Sequence, residues 1–154
     1  MCNAMRHLLF LMLLFLTSSS LYGQTTSKTD TIFDLSSHPE LKAPQFPGGQ
    51  NEIVKFISKN FKYPRLAKEA RVGGIVEIKF IVDTIGNVTD IEVIKGVRED
   101  INNEAIRLIS LLKGWTPGED NGKKVRVHYK IPISFYPDEK WKEEFKRNQK
   151  LGQN

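Results

Sequence analysis

The feature that most constrains the fold of this chain is a long alternation of apolar and polar side chains towards its C-terminal end. Between Lys124 and Phe135 every second residue is apolar, and the residues between them are basic or small. Successive side chains of a β-strand point to opposite faces of the sheet, so this period of two predicts a strand with one apolar face and one basic face. Pro132 lacks a backbone donor, which favours a place at the edge of the sheet. The apolar series consists of Val125, Val127, Tyr129, Ile131, Ile133 and Phe135.

Two shorter alternating runs precede this strand and predict a β-hairpin. The first run covers Ile75–Asp83 and the second covers Thr89–Gly96. The turn between them contains Gly86 and Asn87, two residue types that tolerate positive φ.

Helical periodicity appears before the hairpin and again after it. Apolar residues recur at spacings of three and four from Ile53 to Phe61, a short helix over 65–70 follows Pro64, and a longer apolar stripe runs from Ile101 to Leu112. The sequence therefore predicts an α+β fold, with helices on one face of a three-stranded antiparallel or mixed sheet, in the order helix, helix, strand, strand, helix, strand. A right-handed crossover would place the first strand in the centre and the last strand at an edge. The predicted core consists of Val76, Ile78, Phe80, Val82, Ile91, Val93, Leu108, Ile109, Val127, Tyr129, Ile131 and Ile133.

The two ends of the chain differ from this central part. The apolar run Leu8–Leu16, with a basic start and small residues after it, predicts an export signal peptide over residues 1–23. The alternative is an uncleaved membrane anchor, although the segment from Leu8 to Tyr22 would form only about 22 Å of helix, which is short for a hydrocarbon core of about 30 Å. We expect a flexible leader over 24–43, a folded domain over 44–136 and a helical tail over 137–154, and we expect the mature protein in the periplasm.

Catalytic and metal-binding patterns are missing from the sequence. Cys2 is the only cysteine, His38 and His128 stand far apart, and no phosphate-binding glycine motif occurs. We therefore predict a protein that is not an enzyme and that has no cofactor and no metal site. A nucleic-acid platform is an alternative because an open sheet with a basic face can resemble an RNA-binding platform, but Phe80 and Tyr129 would point to the core instead of stacking on bases.

The predicted edge strand itself indicates a binding role. Unpaired backbone groups at a sheet edge can pair with an extended peptide, and flanking side chains then give selectivity. Two alternatives are a solvated basic face that discourages aggregation and a homodimer that pairs edge to edge.

Several short motifs give the chain a family resemblance. In order along the chain they are Phe46-Pro47-Gly48-Gly49, Tyr63-Pro64, Gly74, Gly86, Glu104-Ala105, Trp115-Thr116-Pro117-Gly118, Asn121-Gly122-Lys123 and Tyr129-Lys130-Ile131-Pro132-Ile133-Ser134-Phe135. Their order and spacing over residues 44–136 resemble the TonB C-terminal domain, in the form common in Bacteroidetes-type bacteria.

The resemblance implies a periplasmic domain that binds a plug or box peptide of outer-membrane TonB-dependent receptors. It also implies the transmission of work from inner-membrane proton-driven motor proteins, in energy-coupled transport. The leader has a single proline, Pro39, so the long proline-rich spacer of a complete transducer is missing, and a stand-alone adaptor or dimerising module is an alternative. Trp141 and Phe145 of the tail could compete for the edge. The expected partner-binding residues are Lys124, Val125, Arg126, Val127, His128, Tyr129 and Lys130, with Trp115 and Gly118 in the flanking turn.

Overall fold

The structure, a computed structural model, describes residues 31–151. The predicted signal peptide and the first part of the predicted leader lie outside these residues. Within the described range no helix has the length and apolar character needed to cross a membrane. The elements, in order, are β1 (Ile32–Asp34), α1 (Gln50–Asn60), α2 (Arg65–Glu69), β2 (Gly74–Val82), β3 (Val88–Lys95), α3 (Glu99–Ser110), β4 (Gly118–Asp120), β5 (Lys123–Phe135) and α4 (Glu139–Leu151).

Strand β2 lies at the centre of the sheet, between β3 and β5, and runs antiparallel to both. The pairing with β5 extends along the whole of β2, from Gly74 opposite Phe135 to Val82 opposite Val127. The predicted hairpin and the predicted central place of its first strand are therefore confirmed. The α+β fold class is confirmed as well.

Two short strands were not expected from the sequence. Strand β1 pairs in parallel with the middle of β5, and β4 forms a tight hairpin with the beginning of β5. Strand β1 lies within the segment predicted as an irregular leader, so that prediction is wrong for Ile32–Asp34. The reason is that a three-residue strand is too short to show a periodicity, and its pairing partner lies far along the chain.

The helices cover one face of the sheet and close a single core with it. Ile53 of α1, Ala67 of α2 and the apolar stripe of α3 pack with the inward side chains of β2 and β5. Of the predicted core, Ile91, Val93 and Tyr129 are partly buried and pack against this cluster, and the others are buried. Residues that join the core beyond the prediction include Leu41, Ile53, Ala67, Ile81, Ile101, Ala105, Leu112, Trp115 and Phe135.

Helix α3 is tied to the end of α1 by a polar network. The Arg107 guanidinium donates to the Asn60 carbonyl oxygen at 2.7 Å and to the Glu104 carboxylate at 2.6 and 2.7 Å. Glu104 in turn accepts a hydrogen bond from the backbone N–H of Lys62 at 2.9 Å. This network fixes the direction in which the chain leaves α1, and with it one wall of the groove described below.

The predicted helical tail forms α4, which has no buried residue. Trp141 stacks on Phe145 with ring centroids 5.0 Å apart, and both rings contact Tyr136 just after the end of β5. Asp138 holds the start of the helix, because its carboxylate accepts a hydrogen bond from the Trp141 N–H and pairs with Arg71 at 3.1 Å. The aromatic pair thus lies against Tyr136, beyond the end of β5.

Candidate partner-binding edge

Strand β5 has two edges, and they differ in how far the chain itself pairs them. One edge pairs with β2 over Val127–Phe135. The opposite edge pairs with β1, with Ile32 opposite Arg126, Phe33 opposite Val127 and Asp34 opposite His128. The expectation that this outer edge has no partner within the chain is therefore wrong at Arg126–His128.

Beyond His128 the outer edge is open. No other described strand pairs with this side of β5 from Tyr129 to Phe135. Lys130, Pro132 and Ser134 are exposed here, while Ile131 and Ile133 point to the core. An added strand would therefore find backbone groups at this end of β5, apart from the donor that Pro132 lacks.

A groove runs alongside this open part of the edge, between β5 and α1. Val54 forms part of its α1 wall and is 58% exposed. The first turn of α4 lies at the groove as well, where Lys142 pairs with Glu139 at 3.0 Å. The groove combines an apolar wall with a strand edge, which is the arrangement that selects side chains of an added peptide. Its apolar and aromatic lining consists of Ile53, Val54, Ile57, Phe61, Ile131, Pro132, Ile133 and Tyr136.

The outer face of the sheet carries the basic row, and acidic residues of β3 partly neutralise it. The Arg126 guanidinium lies 3.1 Å from the Asp90 carboxylate, and the Lys79 ammonium lies 2.6 Å from the Glu92 carboxylate. The hydrogen bond from Lys79 lowers the pKa of Glu92 below its ordinary value. These exposed pairs are typical of a solvated face and contribute little to stability.

The predicted partner-binding residues fall into two groups. Lys124 and Lys130 are exposed, and Val125, Arg126, His128 and Tyr129 are partly buried, so all six lie at or near the surface of β5. Val127 is fully buried and belongs to the core.

The two predicted turn residues are also buried. Trp115 is 3% exposed, and its ring lies 5.0 Å from that of Tyr129, 5.4 Å from Phe46 and 5.7 Å from Phe80. Gly118 is packed beneath the Lys42 carbonyl oxygen and the Val127 side chain. Trp115 and Gly118 therefore lie within the packed interior in this conformation, because the turn folds inward to fill the end of the core, and their contact with a partner stays a prediction.

The sequence did not indicate the groove or β1. Val54 and Tyr136 lie outside the alternating run and were not selected. The one available signal for β1 was the apolar pair Ile32-Phe33 within an otherwise polar segment.

Comparison with known proteins gives the family. Residues 59–137 match the family model described as the C-terminal domain of the Gram-negative bacterial TonB protein, and this match covers just over half of the chain. The chain belongs to this family. The matched residues include α2, all of β2–β5 and α3, so the family assignment covers the whole candidate edge of β5.

Similar proteins include two named Protein TonB from Helicobacter pylori. The protein of strain J99 is 35% identical over 94 residues, and that of strain 26695 is 34% identical over 94 residues. Each match covers 58% of this chain and 32% of the relative, so the chain matches about a third of the length of these relatives.

Solved structures that are similar include two solution structures of the H. pylori TonB C-terminal domain. They are 31% and 29% identical, with TM-scores of 0.45 and 0.46. The matches cover 58% and 57% of this chain, and 85% and 92% of the solved chains.

Proposed function

We propose that this domain binds an extended peptide segment of an outer-membrane TonB-dependent receptor, by adding it as a strand along the outer edge of β5. The observation that carries the proposal is the open edge beyond His128, beside an apolar groove, in a chain of the TonB C-terminal family. The role would be one step of energy-coupled transport across the outer membrane, and the place would be the periplasm.

The physical basis of such binding is the pairing of backbone groups. Each aligned hydrogen bond contributes about 0.5–1.5 kcal/mol net, so a few of them give only modest affinity. Burial of apolar side chains in the groove would add about 25 cal/mol per Å² of surface removed from water. We therefore expect a peptide with an apolar side chain at the position that faces Val54.

Charge is expected to affect the rate and selectivity more than the strength of binding. Lys124 and Lys130 are exposed on the edge strand. Exposed charges attract a partner of opposite sign at a distance and lose that effect in salt. An acidic residue next to the pairing segment of the receptor peptide would match this surface.

The further partners implied by the family are part of the same proposal. A proton-driven motor in the inner membrane would supply the work, through a complete transducer or through an anchor on this chain. An adaptor that binds receptors without such a connection is the second candidate, and it uses the same edge. No catalytic group or cofactor is assigned in either case.

The test is a titration of the ¹⁵N-labelled full chain with overlapping 12-residue synthetic peptides from the periplasmic N-terminal segments of outer-membrane receptors of the source bacterium. We expect amide signals of Lys130, Ile131, Ile133 and Ser134, and those of the α1 wall, to shift. Shifts confined to β3 or to α3 would contradict strand addition at β5. A concentration-dependent shift of the same β5 signals without any peptide would indicate the edge-to-edge homodimer instead.

A matched pair of variants separates the groove from general surface effects. Val54 and Leu66 are aliphatic residues that are 58% and 61% exposed, and only Val54 lines the groove. Val54→Asp should weaken peptide binding by about 1–2 kcal/mol, because it places a charge in an apolar contact. Leu66→Asp should leave binding unchanged. Equal effects of the two substitutions would show that the groove has no part in binding.

A further inference from the structure

Strand β1 lies where an added strand would lie. Its three residues pair with Arg126–His128 on the outer edge of β5, directly before the open part of that edge. We propose that β1 is an exchangeable occupant of the partner edge, which a partner strand must displace to pair with the whole of β5. This inference rests on the proposed function for the identity of the partner strand.

The first argument is that β1 is held weakly. None of its three side chains is buried, and Ile32 is 37% exposed. The ring of Phe33 contacts His38, 5.1 Å away in the turn that follows, and the Asp34 carboxylate accepts hydrogen bonds from Ser36 at 2.6 and 2.9 Å. These contacts are local to the segment and would travel with it. Towards β5, Phe33 lies beside Val125 and Arg126 in an open pocket, and the Asp34 carboxylate attracts Lys130 across solvent, which screens the interaction. Little buried apolar surface therefore opposes the release of β1.

The second argument is that β1 can leave without disturbing the domain. The chain is fastened again at Lys42, which exchanges backbone hydrogen bonds of 2.9 and 3.0 Å with Glu119, and at Gln45, which exchanges bonds of 3.0 and 2.7 Å with Thr116. Leu41, just before this anchor, is 7% exposed. The turns between Asp34 and Leu41 therefore separate the loosely held strand β1 from the firmly held segment that begins at Leu41.

The third argument is that the open part of the edge is short and lacks one backbone donor. Beyond His128 it reaches only to Phe135, and Pro132 within it has no N–H to donate. A peptide confined to this part could form few backbone bonds. Release of β1 adds Arg126–His128 to it and gives a continuous edge.

The experiment compares two double variants of the full chain. Ile32→Gly with Phe33→Gly removes the side chains that favour a strand, since glycine weakens strands. The control, Ile32→Val with Phe33→Tyr, keeps a β-branched and an aromatic residue at the same positions. Unchanged amide signals of β2 and β3 in both variants establish that the domain is folded.

Two quantities are measured on the parent and both variants. The first is hydrogen exchange of the Arg126 and His128 amides, which should become faster in the glycine variant only. The second is the affinity for the receptor-derived peptides. A binding-competent form that is populated at 10% or less lowers the apparent affinity in proportion, so we expect the glycine variant to bind about tenfold more tightly or better.

The experiment distinguishes failure of the strand exchange from failure of the proposed peptide binding. Equal affinities of the parent and the glycine variant, or a peptide complex in which β1 stays paired, would overturn the exchange. If no receptor peptide binds any of the proteins, the proposed function fails, and hydrogen exchange of the Arg126 and His128 amides decides the inference. Exchange of these amides that is faster in the parent than exchange of the β2–β5 ladder, and faster still in the glycine variant, would support β1 as an exchangeable strand. Exchange in the parent as slow as that of the β2–β5 ladder would overturn it.

Discussion

Replacement of Phe80 by alanine is the most direct test of which side chains of β2 point to the core. Phe80 lies on the central strand β2, is fully buried, and has its ring centroid 5.7 Å from those of both Trp115 and Tyr129. Truncation of a buried phenylalanine removes about 3–5 kcal/mol of unfolding free energy. Because two aromatic neighbours lose a partner at the same time, we expect a loss of at least about 4 kcal/mol, in the upper half of that range.

The measurement is urea unfolding of the full chain, followed by far-ultraviolet circular dichroism. With a slope of about 2 kcal/mol per molar urea, the midpoint should fall by about 2 M. Lys79→Ala is the matched control, since Lys79 is the preceding residue on β2, points to the other face and forms an exposed pair with Glu92. It should cost less than about 1 kcal/mol. A loss below about 1 kcal/mol for Phe80→Ala would refute the assigned orientation of β2.

Two further predictions concern turns. Gly86 has φ +88, and a Cβ there would overlap the Trp115 carbonyl oxygen, whereas Gly122 has φ +77 and open space around it. Gly86→Ala should therefore destabilise the domain by more than about 2 kcal/mol, and Gly122→Ala by only about 1 kcal/mol. Equal losses of stability in thermal unfolding would contradict the close approach of Gly86 to the Trp115 carbonyl oxygen. Partial burial raises the pKa of Asp83, but hydrogen bonds donated by the Asn87 and Ile85 backbones outweigh this and lower the pKa below its ordinary value of 3.8. The stabilisation by this carboxylate is thus complete above pH 3.8 and is lost as the pH falls through the lower pKa of the folded state. Asp83→Ala should therefore lower the unfolding free energy by about 1 kcal/mol at pH 7 and by progressively less in acid. Urea unfolding at several pH values measures this difference.

The sequence predicted the long elements because their periodicity reports burial directly. The alternation from Lys124 to Phe135 requires one face of β5 to be buried, and the stripe of α3 does the same for a helix. The crossover rule then gave the central place of β2 without any knowledge of contacts.

The short elements were missed because they depend on contacts between distant parts of the chain. Strand β1 has three residues, and its pairing with β5 follows from the anchoring of Lys42 and Gln45, which no local pattern reveals. Strand β4 is a polar segment held by the tight hairpin into β5.

Of the candidate site, the edge strand was predicted, but the packing of the flanking turn was not. The edge strand follows from topology, so β5 was selected correctly as a strand with an outer edge. Trp115 was selected as a residue of the turn that flanks the edge strand. In the structure its large side chain instead fills the space between Phe46 and Phe80, a choice that depends on the volume left by neighbouring elements.

The place of β5 in the chain has a consequence for folding kinetics. It is the last strand in sequence, yet β1, β2 and β4 all pair with it. Until β5 is in place, β2 lacks its longer ladder and the core lacks one wall. Closing contacts between such distant residues is slow, so the earlier hairpin stays unsupported until β5 pairs with it. We therefore expect the chain to stay in an open form until its last strand is available and then to fold cooperatively.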